Sequence, residues 1–383
     1  MFAKPGDAGD MAALPQAKPE DIGLDPARLD VAYGLLEKGT RAESRVFSGA
    51  ALLVGRHGKC VAPRFFGRQG PEADAEPLRR DAMFLLASIS KPITYMAGLL
   101  LVERGLLNLS DLVTRYIPDF AAHHKEETRV HHLYTHTSGM PDMLTNNIDL
   151  RARHAPLEDF IRGAIRDTVP LFRPGTNLSY QSMGTLVVAE IIQRITGMSI
   201  GDFLRREIFE PLGLEATALG SRGLPRERLV RVDLPKVQVG KSYSWNSSFW
   251  QELGSPWGGA FSSPEDLGVF AQLMLNGGRL GETRLFSPST VSSATRNQLD
   301  YLLELSEPLR RIQPWGLGWK LNHVGGNRAF SELLSPQAFG HGGATGTMLW
   351  IAPELDGFCV LLTTFNRWDY LLRISNAVVA AFV

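Results

Sequence analysis

The segment Phe84-Leu85-Leu86-Ala87-Ser88-Ile89-Ser90-Lys91-Pro92 begins a stretch that is apolar on nearly every face as far as about Gly105. Such a stretch predicts a helix that is buried on all sides. Ser88 and Lys91 are three residues apart, so one helical turn can bring the lysine amine to the serine Oγ. Burial lowers the pKa of a lysine, and a neutral amine can accept a serine proton. The segment therefore predicts a nucleophile with its own base, although a capping serine followed by a surface lysine has the same spacing.

Two more segments carry groups that suit such a site. Tyr180-Gln181-Ser182 offers a tyrosine hydroxyl that can act as a general base or a general acid beside a lysine. Gly340-His341-Gly342-Gly343-Ala344 precedes an apolar strand, and its glycines would let a substrate lie along a sheet edge while backbone N–H groups face an oxyanion. Each segment also has a plain structural interpretation, which is packing for the tyrosine and a glycine-rich turn for the other.

Strand patterns lie near both ends of the chain, and helical patterns fill its middle. Residues 48–66 predict a hairpin, and residues 26–38 before it predict a helix. Residues 316–322, 345–351 and 358–364 predict further strands, and a closing helix follows them. This order predicts an α/β fold in which an antiparallel sheet is built from both termini and flanked by helices, with an inserted, mostly helical domain.

The same patterns suggest domain boundaries. We expect residues 1–20 to be a flexible leader, residues 21–90 and 216–383 to form the α/β sheet domain, and residues 91–215 to form the helical domain. The active site is then expected in the cleft between the two domains. Residues 216–256 show no clear period, and Trp257 beside them could supply an apolar wall if this excursion folds over the cleft.

Two other patterns suggest different chemistry but have simpler interpretations. Gly197-Met198-Ser199-Ile200-Gly201 matches the Gly-x-Ser-x-Gly of a nucleophile elbow, but a helix precedes it where a strand is required. We interpret Gly197 as the end of that helix and Ser199 as the cap of the next one. Neither an intervening Glu nor a third ligand accompanies the pair His132 and His136, so we predict no metal site.

Composition limits the classes of function. The 383 residues include 40 basic and 40 acidic side chains, and 44% of them are hydrophobic. A net charge of zero disfavours binding of nucleic acid or of an anionic membrane. The two cysteines are too few for a disulfide framework, and no apolar run approaches the roughly 20 residues of a membrane span. Because no signal peptide is visible, we expect a cytoplasmic protein, or a periplasmic one if a leader has been removed.

Three motifs, taken in order, carry a resemblance to a known family. Ser88-x-x-Lys91, Tyr180-x-Ser182 and His341-Gly342-Gly343, at intervals of about 90 and 160 residues, resemble the motifs of the serine β-lactamase and penicillin-binding-protein superfamily. The chain is most similar to the branch that holds class C β-lactamases, family VIII carboxylesterases, D-aminopeptidases and D-Ala-D-Ala carboxypeptidases. The resemblance covers the chain from about residue 25 to its end.

The resemblance implies a role for each matching residue. Ser88 would be the acylated nucleophile, and Lys91 and Tyr180 would activate it and later activate water. The backbone N–H groups of Ser88 and Ala344 would form the oxyanion hole. Ser182 would occupy the position that is usually Asn in class C enzymes, where it would contact the acyl-side amide of the substrate or Lys91.

The third motif departs from the family's Lys-Thr-Gly. His341 is mostly neutral at pH 7 and Gly342 has no hydroxyl, so contacts that help to hold a substrate carboxylate are missing from the motif. Losing one charge-assisted contact costs about 1.5–3 kcal/mol. We therefore expect carboxylate-bearing substrates to be disfavoured.

Together these expectations describe a metal-free serine hydrolase that needs no cofactor and acts on a small-molecule ester or amide through an acyl-enzyme on Ser88. The predicted activity is that of a carboxylesterase on small esters, with weak hydrolysis of β-lactams. The alternatives are a β-lactamase, a D-Ala-D-Ala carboxypeptidase or D-aminopeptidase, an acyltransferase, and a non-catalytic binder that kept the fold. The sequence predicts no nucleic-acid partner, and it leaves the oligomeric state open.

Overall fold

A computed structural model describes residues 13–323 and 330–383. The described residues form twelve strands: β1 (Gly49–Arg56), β2 (Lys59–Cys60), β3 (Arg64–Gly67), β4 (Phe84–Leu85), β5 (Ala218–Leu219), β6 (Ala260–Ser262), β7 (Arg279–Leu280), β8 (Thr283–Arg284), β9 (Lys320–Leu321), β10 (Phe339–Gly343), β11 (Thr347–Ala352) and β12 (Gly357–Thr363). They also form twelve α-helices: α1 (Pro26–Thr40), α2 (Ser90–Glu103), α3 (Val130–Tyr134), α4 (Asn147–Ala152), α5 (Leu157–Arg162), α6 (Met183–Thr196), α7 (Ile200–Leu204), α8 (Ser248–Glu252), α9 (Pro264–Leu275), α10 (Pro288–Thr295), α11 (Glu307–Ile312) and α12 (Trp368–Ala380).

Seven of the strands form one antiparallel sheet that uses both ends of the chain. Its order is β2-β1-β12-β11-β10-β9, and β3 pairs with the first half of β1. The central pairing joins β1 to β12, with Leu52 opposite Leu361. The sheet thus combines three strands from residues 49–67 with four from residues 320–363. This arrangement confirms the predicted α/β class and the predicted assembly of the sheet.

Each face of the large sheet packs on its own core, because adjacent residues of a strand point to opposite sides. On β1, Leu52 belongs to the core that includes α1 and α12, whereas Leu53 belongs to the core that includes α9 and the helices of the middle region. Both leucines are buried. Burial on both faces explains why residues 50–54 are apolar without alternation.

The helices of the middle region surround α2. α2 packs against α6, and nearly all of its residues are buried. Gly98 lets α3 approach closely, because a Cβ at this position would lie 2.1 Å from the Tyr134 hydroxyl oxygen. The boundaries at residues 91 and 215 stay a prediction. In the two described ranges, no helix has the length and apolar character needed to cross a membrane.

A small second sheet fixes the chain just before α2. Its order is β4-β6-β5, with Leu85 opposite Phe261 and Ala218 opposite the same Phe261. β5 and β6 come from residues that the sequence patterns left without clear assignment. Their pairing with β4 holds in place the residues that lead into the predicted nucleophile.

Sequence patterns predicted most elements near their observed bounds. α1 begins at the predicted residue Pro26 and ends two residues beyond the predicted bound of 38, at Thr40. The second arm of the hairpin predicted at 48–66 is divided into β2 and β3, which pair with different halves of β1.

The predicted strand at 316–322 is the clearest difference. Residues 315–319 form a tight turn, and only residues 320 and 321 pair with β10 as β9. Gly318 in this turn has φ +79°, and a Cβ on it would lie 2.2 Å from the Tyr95 ring of α2. The turn therefore follows from a contact with a helix more than 200 residues earlier, which no local period reveals.

Candidate active site

The backbone before Ser88 is held on both sides. The Leu86 N–H donates to the Ala260 carbonyl oxygen at 2.8 Å. Ala87 then adopts φ +47°, a left-handed conformation that costs an alanine about 1–3 kcal/mol. Ser90 secures this turn, since its Oγ donates to the Ala87 carbonyl oxygen at 2.7 Å and accepts from the Ala260 N–H at 3.0 Å. The strained turn leaves Ser88 on the wall of a cleft.

Lys91 lies beneath Ser88 and is 1% exposed. Its Nζ lies 3.0 Å from the Ser88 Oγ and 3.0 Å from the carbonyl oxygen of Trp257. The same Nζ is 4.7 Å from the centroid of the Tyr180 ring. Burial lowers the pKa of Lys91 to about 7, although the Asp142 carboxylate acts in the opposite direction. Near pH 7 a large fraction of the amine is therefore neutral and can accept a proton.

Tyr180 forms the next part of this wall, just before α6. Burial raises its pKa above the ordinary tyrosine value, although a hydrogen bond with Ser88 acts to lower it. Its ring lies 4.9 Å from the His136 ring and 6.0 Å from the Trp315 ring, measured between centroids. The hydroxyl is thus protonated at neutral pH and can donate a proton, whereas the neutral Lys91 amine can accept one.

β10 forms the opposite wall. His341 is 4% exposed, and its Nδ1 lies 2.8 Å from the Gly342 carbonyl oxygen, which can only accept, so Nδ1 carries the proton. Burial is the main reason that the pKa of His341 falls to about 3, and Lys91 lowers it further. The ring is therefore neutral at pH 7, in agreement with the sequence. Its buried Nε2 has no hydrogen-bond partner among the described residues.

Close neighbours explain both glycines of the third motif. A Cβ on Gly343 would lie 2.4 Å from the Leu86 carbonyl oxygen, so β10 lies directly against the residues that precede Ser88. A Cβ on Gly342 would lie 2.8 Å from the ring of Trp368. The indole of Trp368 thus takes the space that a threonine side chain would need at this position.

A cleft of about 530 Å³ lies between these walls. It contains both predicted oxyanion residues and the whole third motif. Five of its residues match no motif, and they come from loops, a strand end and the start of α12, whose positions depend on the fold. The lining residues are Ser88, Tyr180, Gln313, Trp315, Lys320, His341, Gly342, Gly343, Ala344, Asn366 and Trp368.

Ser182 and Trp257 contribute differently from what the motifs implied. The Ser182 Oγ donates to the Asp142 Oδ1 at 2.6 Å. Trp257 is 2% exposed, and its carbonyl oxygen rather than its indole reaches the site, through Lys91. Asp142 was not predicted, because its contact with Ser182 joins residues 40 positions apart.

The two competing patterns have structural roles. Gly197 ends α6 with φ +70°, and Ser199 caps α7 by accepting from the Asp202 N–H, as the sequence indicated. His136 packs against Trp315, with 4.3 Å between ring centroids. Across residues 13–323 and 330–383, no three His, Cys, Asp or Glu side chains are grouped so as to hold a metal ion.

Comparison with known proteins gives a family match over most of the chain. The family model described as Beta-lactamase matches residues 36–381. A curated protein of Salmonella agona, named "Putative D-alanyl-D-alanine carboxypeptidase", is 26% identical over 390 residues, which cover 92% of this chain and 86% of that protein.

Two solved structures are similar in fold. EstCE1, described as a hydrolase with promiscuous acyltransferase activity, has a TM-score of 0.75 at 18% identity, and the match covers 92% of this chain and 98% of that one. A family VIII carboxylesterase has a TM-score of 0.70 at 20% identity, again with 92% and 98% coverage. At these identities the likeness establishes the fold alone.

Proposed function

The chain belongs to the beta-lactamase family of serine hydrolases, and we propose that it cleaves small carboxylic esters through an acyl-enzyme on Ser88. One observation carries this proposal: the Lys91 Nζ lies 3.0 Å from the Ser88 Oγ, in a buried setting that lowers the pKa of Lys91 to about 7. The same pair would serve a β-lactam or a peptide. An ester is favoured because neither the neutral His341 nor Gly342 offers a cation or a hydroxyl to a carboxylate beside the reacting carbonyl.

The acylation step follows from these positions. The neutral Lys91 amine accepts the Ser88 proton while the Oγ attacks the ester carbonyl carbon. The carbonyl oxygen becomes an oxyanion, and the backbone N–H groups of Ser88 and Ala344 are the donors assigned to it. The C–O bond to the alcohol then breaks, and the Tyr180 hydroxyl gives its proton to the leaving alkoxide. The Lys91 proton then restores Tyr180, so the proton lost by the serine ends on the alcohol.

Deacylation reverses the roles of the same groups. Lys91 is neutral again after the alcohol leaves, and it accepts a proton from the water that attacks the acyl carbon, directly or through Tyr180. The bond between the Ser88 Oγ and the acyl carbon breaks, and the proton returns to Oγ. Asp142, held by the Ser182 Oγ at 2.6 Å, places a negative charge near Lys91 and favours its charged form during both steps.

Removing the nucleophile tests the proposal. Ser88→Ala is expected to abolish hydrolysis of p-nitrophenyl butyrate and covalent labelling by a fluorophosphonate, whereas Ser199→Ala keeps both, because Ser199 only caps α7. Intact-mass spectrometry after brief exposure to the ester shows the acyl adduct directly. A labelled Ser199, or full ester hydrolysis by the Ser88→Ala variant, would contradict the proposal.

Two alternatives follow from the names of similar proteins. The curated relative is named as a carboxypeptidase, and one structural neighbour is described as an acyltransferase as well as a hydrolase. To separate carboxypeptidase activity from ester hydrolysis, one preparation is assayed with nitrocefin, a D-Ala-D-Ala peptide and p-nitrophenyl butyrate. Adding a primary alcohol and measuring transferred ester tests the second. Absence of any adduct with esters, lactams and D-peptides would favour a non-catalytic binder.

A further inference from the structure

We propose that Lys320 binds a carboxylate of the substrate, so that the preferred esters carry a carboxylate several bonds from the reacting carbonyl. The proposal rests on the proposed ester hydrolysis at Ser88 and names the substrate class for that site. It departs from the expectation, drawn from the third motif alone, that carboxylate-bearing substrates are disfavoured.

The sheet places Lys320 beside the third motif. β9 is the edge strand next to β10, and Lys320 is paired with Gly340, the residue before His341. The tight turn before β9 also pairs Lys320 with Trp315. Paired residues of antiparallel strands lie directly opposite each other, about 4.5–5.5 Å apart. Lys320 is therefore fixed between Trp315, which lines the cleft, and the residue that precedes His341.

Trp315 is paired with Lys320 and also lies close to the side chains of His341 and Tyr180. Its indole lies 5.9 Å from the His341 ring and 6.0 Å from the Tyr180 ring, measured between centroids. The positive charge of Lys320 is close enough to His341 to lower the pKa of that imidazole. Lys320 itself lines the same cleft as Ser88. The Lys320 cation thus contributes to the electrostatic potential of the cleft in which the substrate would bind.

The cleft offers a suitable environment for an ion pair. Lys320 is half-buried, and burial lowers the pKa of its amine. Among the described lining residues it is the one that carries a formal charge at pH 7, because the pKa of His341 falls to about 3. Gln313 and Asn366 add neutral amides to the lining. Charge-assisted contacts gain strength in such a partly water-excluded site.

The position of Lys320 also sets the length of the substrate. The cation of a Lys-Thr-Gly motif would stand at residue 341 of β10, whereas Lys320 lies on the neighbouring strand opposite Gly340, so its side chain leaves the other face of the sheet from that of residue 341. The space beside Gly342 is taken by the Trp368 indole. A carboxylate close to the carbonyl, as in a β-lactam, is poorly placed for Lys320. A carboxylate on a longer chain can extend past Trp368 and reach it.

Matched pairs of esters test the proposal. One pair is mono-p-nitrophenyl adipate and its terminal carboxamide, with the charge in the acyl part. The other is 4-carboxyphenyl butyrate and 4-carbamoylphenyl butyrate, with the charge in the alcohol part. In the unmodified protein, kcat/KM for the carboxylate of at least one pair is expected to exceed that for the amide by about tenfold or more.

Substitutions then assign the preference to Lys320. Lys320→Gln and Lys320→Met are expected to reduce the carboxylate-to-amide ratio by about tenfold to a hundredfold, and Lys320→Arg is expected to retain most of it. Lys59→Gln is the matched control, because Lys59 is an exposed lysine in β2, at the opposite edge of the same sheet. The control should leave the ratio unchanged.

The outcomes separate this proposal from the proposed function. Equal rates for both members of both pairs, or a ratio that survives Lys320→Gln and Lys320→Met, would overturn the assignment of Lys320 while leaving ester hydrolysis at Ser88 intact. If no ester is cleaved, the proposed function fails, and binding still tests Lys320. Calorimetry on the Ser88→Ala variant should then show tighter binding of adipic acid monoamide than of adipamide, and Lys320→Gln in that background should remove the difference.

Discussion

The two walls of the cleft differ in where their properties come from. On the α2 wall, Ser88 and Lys91 are three residues apart, and one helical turn brings the amine 3.0 Å from Oγ. On the β10 wall, distant residues determine the properties of both motif positions: Lys320 helps to lower the pKa of His341, and Trp368 fills the space beside Gly342. The first wall supplies the proposed chemistry, and the second shapes what can approach it. The residues of the proposed reaction are therefore close together in sequence, whereas the residues that shape the approach to the site come from distant parts of the chain.

The largest expected effect comes from removing the base of the α2 wall. Lys91→Met is expected to reduce kcat/KM for p-nitrophenyl butyrate by about 10²–10⁴-fold, because no neutral amine remains to accept the Ser88 proton. Lys91→Arg should be nearly as inactive, since a guanidinium stays protonated in proteins. High activity of the arginine variant would mean that the charge of Lys91, and not its basicity, is what the reaction uses.

A second buried lysine provides the control for that substitution. Lys125 is also fully buried, and its Nζ lies 2.6 Å from the Thr168 carbonyl oxygen, away from the cleft lining. Lys125→Met should lower the free energy of unfolding but leave kcat/KM of the folded fraction close to that of the unmodified protein. If Lys91→Met and Lys125→Met lose the same amount of kcat/KM, the effect of Lys91→Met comes from disturbed folding and not from the loss of a base.

The next effect is the pH dependence that the same wall imposes. The Lys91 pKa is about 7, and the proposed mechanism uses the neutral amine, so kcat/KM for a neutral ester should be high above pH 7 and fall about tenfold per pH unit below it. His341 should not contribute, because its pKa of about 3 keeps it neutral over this range. The His341→Gln variant should therefore keep the fall of kcat/KM below pH 7. If this fall disappears in the variant, the titrating group is His341 on the β10 wall and not Lys91.

The same contrast explains which parts were predictable from sequence. The buried helix, the Ser88–Lys91 pair and the capping of α7 by Ser199 are local, so spacing and residue type are sufficient to predict them. Asp142 was missed because its bond to Ser182 arises only when distant segments meet. Lys320 was missed because its place beside β10 depends on the register of an edge strand two residues long. The sheet itself was predictable from its apolar strands, but its pairing partners at the edge were not.

The smallest effect concerns the glycine of the third motif and tests whether the β10 wall is shaped by its neighbour. Gly342 is not in a left-handed conformation, so a threonine there meets no backbone penalty, only the Trp368 ring 2.8 Å from the new Cβ. Gly342→Thr should lower the free energy of unfolding by about 1–3 kcal/mol, measured by urea denaturation. Trp368→Ala relieves that contact, so the double variant should be more stable than the sum of the single changes predicts. If the changes in the free energy of unfolding are simply additive, the Trp368 ring is not what requires a glycine at position 342. The absence of a hydroxyl there would then need another cause.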